Sequence, residues 1–408
     1  MHGRARPISG AKPVITPMPR HEGVPTFVIM RTKPTLLLAA GLAGVVLTTT
    51  AATASAAPAP ARFSLPAPTG PYAVGSTELH LVDEARPDPW VAGTTRELMV
   101  TVRYPARPSG NPATPYLTPA VAAAAAAEDA GRLGVTADRL DYTFATHARA
   151  DAAAAGGRRP VVLYSPGARF PRATGTAQLE QLASEGYVTV AIDHTHEPAA
   201  VEFPGGRVER RALPSGPEAG KQLIATRVAD TRFVLDELET LARGGNPDAE
   251  HRGLPAGLSL DLSRVGMFGH SAGGFTTGET MVSDRRIDAG ADLDGSMAYS
   301  QSARDFGRVA DEGLDRPFLL MSAGDHSASS DPSWQEFLKN HRGWSCQRHL
   351  AEGEHFSYTD YQALLPQAVT QLGLDPAVVA PFIGTIDARR SVSTQRAYLT
   401  ALFTQHLG

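Results

Sequence analysis

The sequence has little of several features that mark whole classes of protein. Its single cysteine, Cys346, excludes an intramolecular disulfide and any metal site built from thiolates alone. Only four lysines occur, and the 38 basic residues form no dense block against the 42 acidic ones. A nucleic-acid partner therefore has little electrostatic support. An apolar run over residues 36–47 is too short to cross a bilayer.

The amino-terminal region has the order of a secretory signal. Arg31-Thr32-Lys33 precedes the apolar run, and Ala54-Ser55-Ala56 supplies a cleavage site of small residues. Translation is expected to start at Met30, directly before this positive end. We therefore expect an exported, extracellular protein that loses residues 1–56 and makes no stable membrane insertion. Because that segment carries a surplus of five positive charges, the formal charge would change from −4 to −9.

The rest of the chain predicts a linker followed by one large domain. Residues 57–75 are rich in Ala and Pro, as in a linker. Residues 76–408 alternate strand-like apolar runs, such as 161–164 and 265–268, with amphipathic helical segments, such as 218–243. This alternation favours an α/β fold with a mostly parallel central sheet and helices on both faces.

Two segments before the first buried strand of this pattern have a different character. Residues 97–104 alternate as in a strand with one more buried face. The Ala-rich region from 105 to 159 predicts one or two helices, including residues 139–155, because Ala is the best helix former. These helices would either shield a pocket or cross the sheet surface.

The pentapeptide Gly269-His270-Ser271-Ala272-Gly273 matches G-x-S-x-G. It lies between an apolar strand and a predicted helix, which is the context of a nucleophile elbow. The two glycines remove Cβ atoms that would collide at so sharp a turn. Ser271 is therefore the candidate nucleophile.

A serine hydroxyl needs a base to accept its proton, and in this fold the order along the chain is serine, acid, histidine. Of the histidines that follow Ser271, His355 lies in a loop just after the last predicted strand, and His326 is the alternative base. Asp294 and Asp325 each follow the end of a strand that lies between Ser271 and His355 in the sequence. The residues alone leave the choice of acid open.

An oxyanion hole needs two backbone N–H donors. One is expected from Ala272, the residue after the nucleophile. The other is expected from Ser165-Pro166-Gly167-Ala168, the loop after the strand at 161–164. Pro166 has no N–H, so Gly167 or Ala168 must donate.

No metal or cofactor is expected. Asp193-His194-Thr195-His196-Glu197 contains ligand-type residues, but no further ligand cluster accompanies it. We interpret it as the loop after a buried strand.

Together these motifs resemble the platelet-activating-factor acetylhydrolase family of α/β-hydrolases, over roughly residues 94–365. The resemblance is carried by residues 163–168, 179–194, 269–274, 293–295 and 354–360. In that family the acid follows the strand after the nucleophile helix, which implies Asp294 here, with Asp325 as the alternative. The family's second oxyanion donor corresponds to Ala168.

Two departures bear on the substrate. Pro166 stands where the mammalian members have histidine, and residues 105–159 contain no apolar helix for membrane docking. The leading hypothesis is a secreted serine esterase that cleaves short-acyl or lipid esters through Ser271, Asp294 and His355. A lipase or cutinase-like polyester hydrolase, and a non-catalytic binding protein on the same scaffold, are the alternatives.

Overall fold

The computed structural model describes residues 59–216 and 218–408, so the predicted signal and its cleavage site lie outside the described residues. The strands are β1 (Ala61–Arg62), β2 (Ala73–Pro87), β3 (Thr95–Ala106), β4 (Ala113–Pro115), β5 (Leu140–Asp141), β6 (Ala145–Ala150), β7 (Arg159–Ser165), β8 (Val188–Asp193), β9 (Ala200–Glu202), β10 (Val208–Arg210), β11 (Leu260–His270), β12 (Ala289–Leu293), β13 (Ala298–Ser300), β14 (Asp305–Phe306), β15 (Phe318–Ala323) and β16 (Ser345–Leu350). The helices are α1 (Pro119–Leu133), α2 (Thr176–Glu185), α3 (Ala219–Ala242), α4 (Ala272–Ser283), α5 (Arg308–Glu312), α6 (Pro332–Asn340), α7 (Tyr361–Leu372), α8 (Ala380–Ile383) and α9 (Ala388–Leu407).

Ten of these strands form one mixed sheet in the order β16-β15-β12-β11-β7-β8-β3-β2-β6-β4. The strands from β16 to β8 are all parallel, whereas β3 runs antiparallel to both β8 and β2. The predicted α/β architecture with a mostly parallel sheet is confirmed. Since β11, β12, β15 and β16 are adjacent and parallel, the loops that follow them meet at one edge of the sheet.

Helices cover both faces of this sheet because successive side chains of each buried strand point to opposite faces. On one face Leu163 of β7 packs in a core with Val234 of α3. On the other face Tyr164 packs with Leu179 of α2 and Phe403 of α9. Burial on both faces explains the continuous apolar runs of these strands in the sequence.

Residues 59–75, the described part of the predicted linker at 57–75, belong to the folded domain, which corrects the prediction there. Within its described part, β1 pairs with β5, and the aromatic ring of Phe63 stacks on Tyr142 at 5.1 Å. The side chain of Gln371 in α7 accepts a hydrogen bond from Arg62 N and donates one to Arg62 O. The Ala- and Pro-rich composition of this segment therefore corresponds to an irregular segment that packs against the rest of the domain.

The helix predicted over residues 139–155 is wrong, whereas α1 confirms a helix earlier in the same region. Residues 140–141 and 145–150 form β5 and β6 instead. In β6 the buried residues alternate, and Ala148 packs against Val74 and Ala183. Pairing with β2 and β4 therefore overrides the helix propensity of alanine.

One further strand, β3, differs from expectation in its burial. β3 is buried on both faces, because α2 and the loops around Arg172 cover the side that was expected to carry polar residues. β16 is an edge strand with mostly exposed side chains, and Cys346 within it is half-buried. Among the described residues, no helix is both long and apolar enough to span a membrane.

Candidate active site

Ser271 sits at the turn between β11 and α4. Its backbone has φ 55° and ψ −123°, a left-handed conformation that is strained for a residue with a side chain. Ser271 N donates to Leu293 O of β12 at 2.9 Å, which holds the turn against the neighbouring strand. The strain is maintained by the surrounding structure and presents the hydroxyl at the carboxyl edge of the sheet.

The glycines of the pentapeptide allow this close packing. A Cβ at Gly269 would collide with the backbone of Gly273, and a Cβ at Gly273 would collide with the carbonyl oxygen of Ser165. Both side-chain-free positions are therefore required for the elbow to fit between β7 and α4.

The structure brings Ser271, His355 and Asp294 together. His355 Nε2 lies 2.9 Å from Ser271 Oγ, and His355 Nδ1 lies 2.6 Å from Asp294 Oδ2. His355 opens a short helical turn after β16, and Asp294 follows β12 with φ 63°. Such a chain can pass a proton from the hydroxyl to the imidazole while the carboxylate fixes the ring tautomer.

Asp294 is also held from its other side. Its Oδ1 accepts a hydrogen bond from Ala323 N at 2.9 Å and lies 2.8 Å from His326 Nδ1. His326 Nε2 in turn lies 2.9 Å from Asp331 Oδ2, so this imidazole bridges two carboxylates. The sequence predicted His326 only as an alternative base, and its bridging role depends on contacts that sequence reasoning missed.

The pKa values in this cluster follow from its contacts. Burial would lower the pKa of His326, but hydrogen bonds to Asp294 and Asp331 outweigh it and raise the pKa to about 10. Burial would raise the pKa of Asp294, yet hydrogen bonds from His326 and His355 lower it to about 2. Asp294 is therefore ionised at neutral pH. It lies between the protonated imidazole of His326 and the imidazole of His355, the candidate base.

His270, the variable position of the pentapeptide, supports the His355 loop. Its Nε2 lies 2.8 Å from His355 O, and the two imidazole rings lie 4.6 Å apart. Burial, together with repulsion from His355, lowers the pKa of His270 to about 3. A neutral His270 thus donates its Nε2 hydrogen to the His355 carbonyl and fixes the backbone of that residue.

The loop of residues 165–168, here called the oxyanion loop, lies directly against the elbow. A Cβ on Gly167 would come within 2.7 Å of His270 Nδ1. Ala272 is the first residue of α4, where backbone N–H groups have no partner within the helix. The predicted donors Ala272 and Ala168 therefore belong to two segments that pack against each other beside Ser271.

A cavity of about 560 Å³ opens beside Ser271 and His355. One wall is apolar and comes from α3, α4 and the β13–β14 hairpin, whereas two carboxylate side chains, Asp325 and Glu354, lie at another side. The apolar wall consists of Leu223, Ile224, Phe275, Ala298 and Tyr299. The ring centroids of Phe275 and Tyr299 lie 5.1 Å apart. The cavity is thus suited to an ester with an apolar group on one side of the scissile bond.

The remaining candidates take other places. Asp325 is exposed at the cavity, and within the part of the chain described here no hydrogen bond joins its carboxylate to His355. The segment 193–197 follows β8 as a buried loop, and its His194 and Glu197 bond to protein side chains. Over residues 59–216 and 218–408, no cluster of His, Cys, Asp and Glu could hold a metal ion.

Replacing His326 should change stability in a pH-dependent way. Because the raised pKa means that folding favours the protonated ring, its stabilisation is complete below pH 6.5 and is lost as pH rises through about 10. In urea denaturation, His326→Gln should therefore lose the most free energy of unfolding at about pH 6 and approach the wild type at about pH 10. His349→Gln is the control for replacing a histidine, because His349 lies exposed on the edge strand and its Nδ1 contacts the hydroxyl of Ser322. An equal loss for His326→Gln at both pH values would contradict the bridge.

Comparisons with known proteins agree with the fold and with an esterase activity. No family model matches the chain. A probable 1-alkyl-2-acetylglycerophosphocholine esterase of Arthroderma benhamiae is 27% identical over 390 residues, which cover 88% of this chain and 92% of that protein.

A solved structure gives the stronger likeness. The ferulic acid esterase of Streptomyces cinnamoneus is 36% identical, with a TM-score of 0.65, covering 85% of this chain and 93% of that one. Both relatives are esterases, and the present chain is accordingly a hydrolase of carboxylic esters with the α/β-hydrolase fold. The chain belongs to the same family of α/β-hydrolase esterases as the Streptomyces ferulic acid esterase.

Proposed function

We propose that this esterase acts through a covalent acyl-enzyme on Ser271, with His355 as base and Asp294 as its orienting acid. The observation that carries the proposal is the continuous hydrogen-bond chain from Ser271 Oγ through both ring nitrogens of His355 to Asp294. Every link of the chain lies within hydrogen-bond distance, as nucleophile activation requires.

The reaction has two halves. Ser271 Oγ attacks the ester carbonyl while His355 Nε2 accepts the hydroxyl proton, and the backbone N–H groups of Ala272 and Ala168 stabilise the oxyanion. Collapse of the tetrahedral intermediate breaks the ester C–O bond, and His355 returns the proton to the leaving alcohol. Water, deprotonated by His355, then releases the acid and restores Ser271.

The proposed substrates are esters of short acyl chains, including a 2-acetyl glycerophosphocholine of the kind named for the Arthroderma relative. The exposed His355 and the open cavity beside it support access for a substrate without opening of a cover. The signal-like order of residues 31–56 supports action outside the cell.

Replacing the nucleophile gives the direct test of this mechanism. Ser271→Ala should lower kcat for 4-nitrophenyl acetate by more than about 10⁴-fold, because among the described residues no other hydroxyl lies within hydrogen-bond distance of His355 Nε2. A fluorophosphonate probe should label the wild type at Ser271 and leave the variant unlabelled. Circular dichroism should show that the variant keeps its fold. A folded Ser271→Ala enzyme with substantial turnover would contradict the proposal.

A second candidate substrate class is the hydroxycinnamoyl esters, of which ferulate esters are an example. The observation that favours it is the wall made by Phe275 and Tyr299, which offers aromatic surface to a planar acyl group. The Streptomyces relative is itself a ferulic acid esterase.

A substrate panel with Tyr299 variants separates the two classes. If an aromatic acyl group packs on Tyr299, Tyr299→Ala should lower kcat/KM for methyl ferulate by about tenfold and leave 4-nitrophenyl acetate nearly unchanged. Tyr299→Phe keeps the ring and serves as the matched control. Equal losses on both esters, or a wild type inactive on methyl ferulate but active on 2-acetyl glycerophosphocholine, would exclude the aromatic class.

A further inference from the structure

A fully buried arginine lies behind the oxyanion loop. Arg227 of α3 has no exposed side-chain surface. Its Nη1 donates to Pro166 O at 2.6 Å, and its Nη2 donates to Gly167 O at 3.3 Å. The guanidinium thus bonds two consecutive carbonyl groups of the loop that is expected to supply an oxyanion donor.

The guanidinium is itself held in place by a carboxylate. Arg227 Nε and Nη2 donate to Glu197 Oε2 at 2.9 and 2.5 Å, and Glu197 is equally buried. Nε also donates to Glu197 Oε1 at 3.1 Å, and these bonds fix the plane of the guanidinium as well as compensating its charge. Glu197 therefore decides the direction in which Arg227 presents its remaining N–H groups.

The carbonyl contacts determine where the loop amides point. The described residues contain no cis peptide bond, so the N–H of each peptide unit points away from its own carbonyl. A bond from Arg227 to Gly167 O directs the Ala168 N–H to the opposite side, and a bond to Pro166 O does the same for the Gly167 N–H. These are the two N–H groups that the sequence predicts as alternatives for the second oxyanion donor.

Contacts at both ends hold the oxyanion loop against its neighbours. Its first residue is anchored because Ser165 Oγ lies 2.9 Å from His194 Nε2, whose Nδ1 lies 2.9 Å from buried Asp230. Its other side touches the elbow at Gly273 and His270. Gly167 O also accepts a hydrogen bond from Phe170 N at 3.1 Å, and the bonds from Arg227 to Pro166 O and Gly167 O add to this restraint on the peptide planes of the loop.

We propose that Arg227, held by Glu197, is a positioning residue that aims the loop amides at the oxyanion formed on the substrate. This inference rests on the proposed acyl-enzyme mechanism at Ser271. Arg227 touches neither substrate nor the triad. It acts through the peptide groups of Pro166, Gly167 and Ala168.

The test compares two variants with a matched control. Arg227→Lys keeps the charge but loses the planar arrangement of donors, and Glu197→Gln keeps Arg227 but weakens its anchor. Arg396→Lys is the control, because Arg396 is also buried and donates to three backbone carbonyls, those of Ala177, Ala67 and Pro66, outside the site. Each variant is assayed below its unfolding transition for kcat and KM on 4-nitrophenyl acetate, for its pH profile, and for inhibition by an aryl trifluoromethyl ketone.

We expect kcat to fall about 10- to 100-fold in Arg227→Lys and Glu197→Gln, below the loss on removing an oxyanion donor itself, with KM within about threefold. Binding of the ketone, whose adduct with Ser271 carries the same oxyanion, should weaken by the same factor as kcat/KM. The acid limb of the pH profile should not move, because the triad is unchanged. Arg396→Lys should lose stability without these effects.

Two results would overturn the inference. One is a folded Glu197→Gln or Arg227→Lys enzyme with wild-type kcat. If Arg227→Lys does not fold, the kcat of Glu197→Gln alone decides the outcome. The other is a fall in kcat without weaker ketone binding. If Ser271→Ala keeps its activity, the proposed mechanism itself fails, whereas an inactive Ser271→Ala with a fully active Arg227→Lys removes only the role of Arg227.

Discussion

The geometry of the site depends on the hydrogen bonds that the carboxylate of Asp294 accepts. One of its oxygens meets His355 and the other meets His326 and the backbone N–H of Ala323. Because three donors converge on one buried group, its ionised form is favoured despite the cost of burial, and its pKa falls to about 2. In the proposed mechanism, a fixed negative charge at this position holds the His355 ring in the tautomer that leaves Nε2 free to accept a proton from Ser271.

The fold supplies this arrangement by placing the ends of neighbouring parallel strands side by side. Ser271 follows β11, Asp294 follows β12, His326 lies beyond β15 and His355 lies beyond β16, so four adjacent strands each deliver one residue. The positive φ angles of Ser271 and Asp294 show that two of these strand ends are strained. The close packing that Gly269 and Gly273 allow maintains the strained turn at Ser271. The three hydrogen bonds accepted by the carboxylate of Asp294 maintain the strained turn there.

The sequence predicted the parts of this site that follow from local rules. The G-x-S-x-G turn, the order of serine, acid and histidine, and the strand ends identified Ser271, Asp294 and His355 as candidates, and the structure brings them within hydrogen-bond distance. The choice between Asp294 and Asp325 needed the family resemblance, because both aspartates end a strand. The mistaken helix at 139–155 and the packed segment at 59–75 share a cause: alanine-rich composition says little about which neighbour a segment pairs with.

Contacts between segments that lie far apart in the chain could not be predicted from the sequence. Arg227 lies in the middle of an ordinary amphipathic helix and Glu197 in a loop, yet they form one buried pair behind the oxyanion loop. His326 and Asp331 likewise gain their importance only from the packing of α6 and Trp334 against the strand ends. Buried charged residues on a helix face that should be apolar were the one signal available for such pairs.

The most direct test of the account is to neutralise the two competing aspartates one at a time. Asp294→Asn removes the charge that orients His355, so kcat/KM for 4-nitrophenyl acetate should fall on the order of 10⁴-fold. Asp325→Asn, at an exposed position beside the cavity, should stay within about threefold of the wild type by the size expected for a surface change. A greater loss in Asp325→Asn than in Asp294→Asn would contradict the central place given to Asp294.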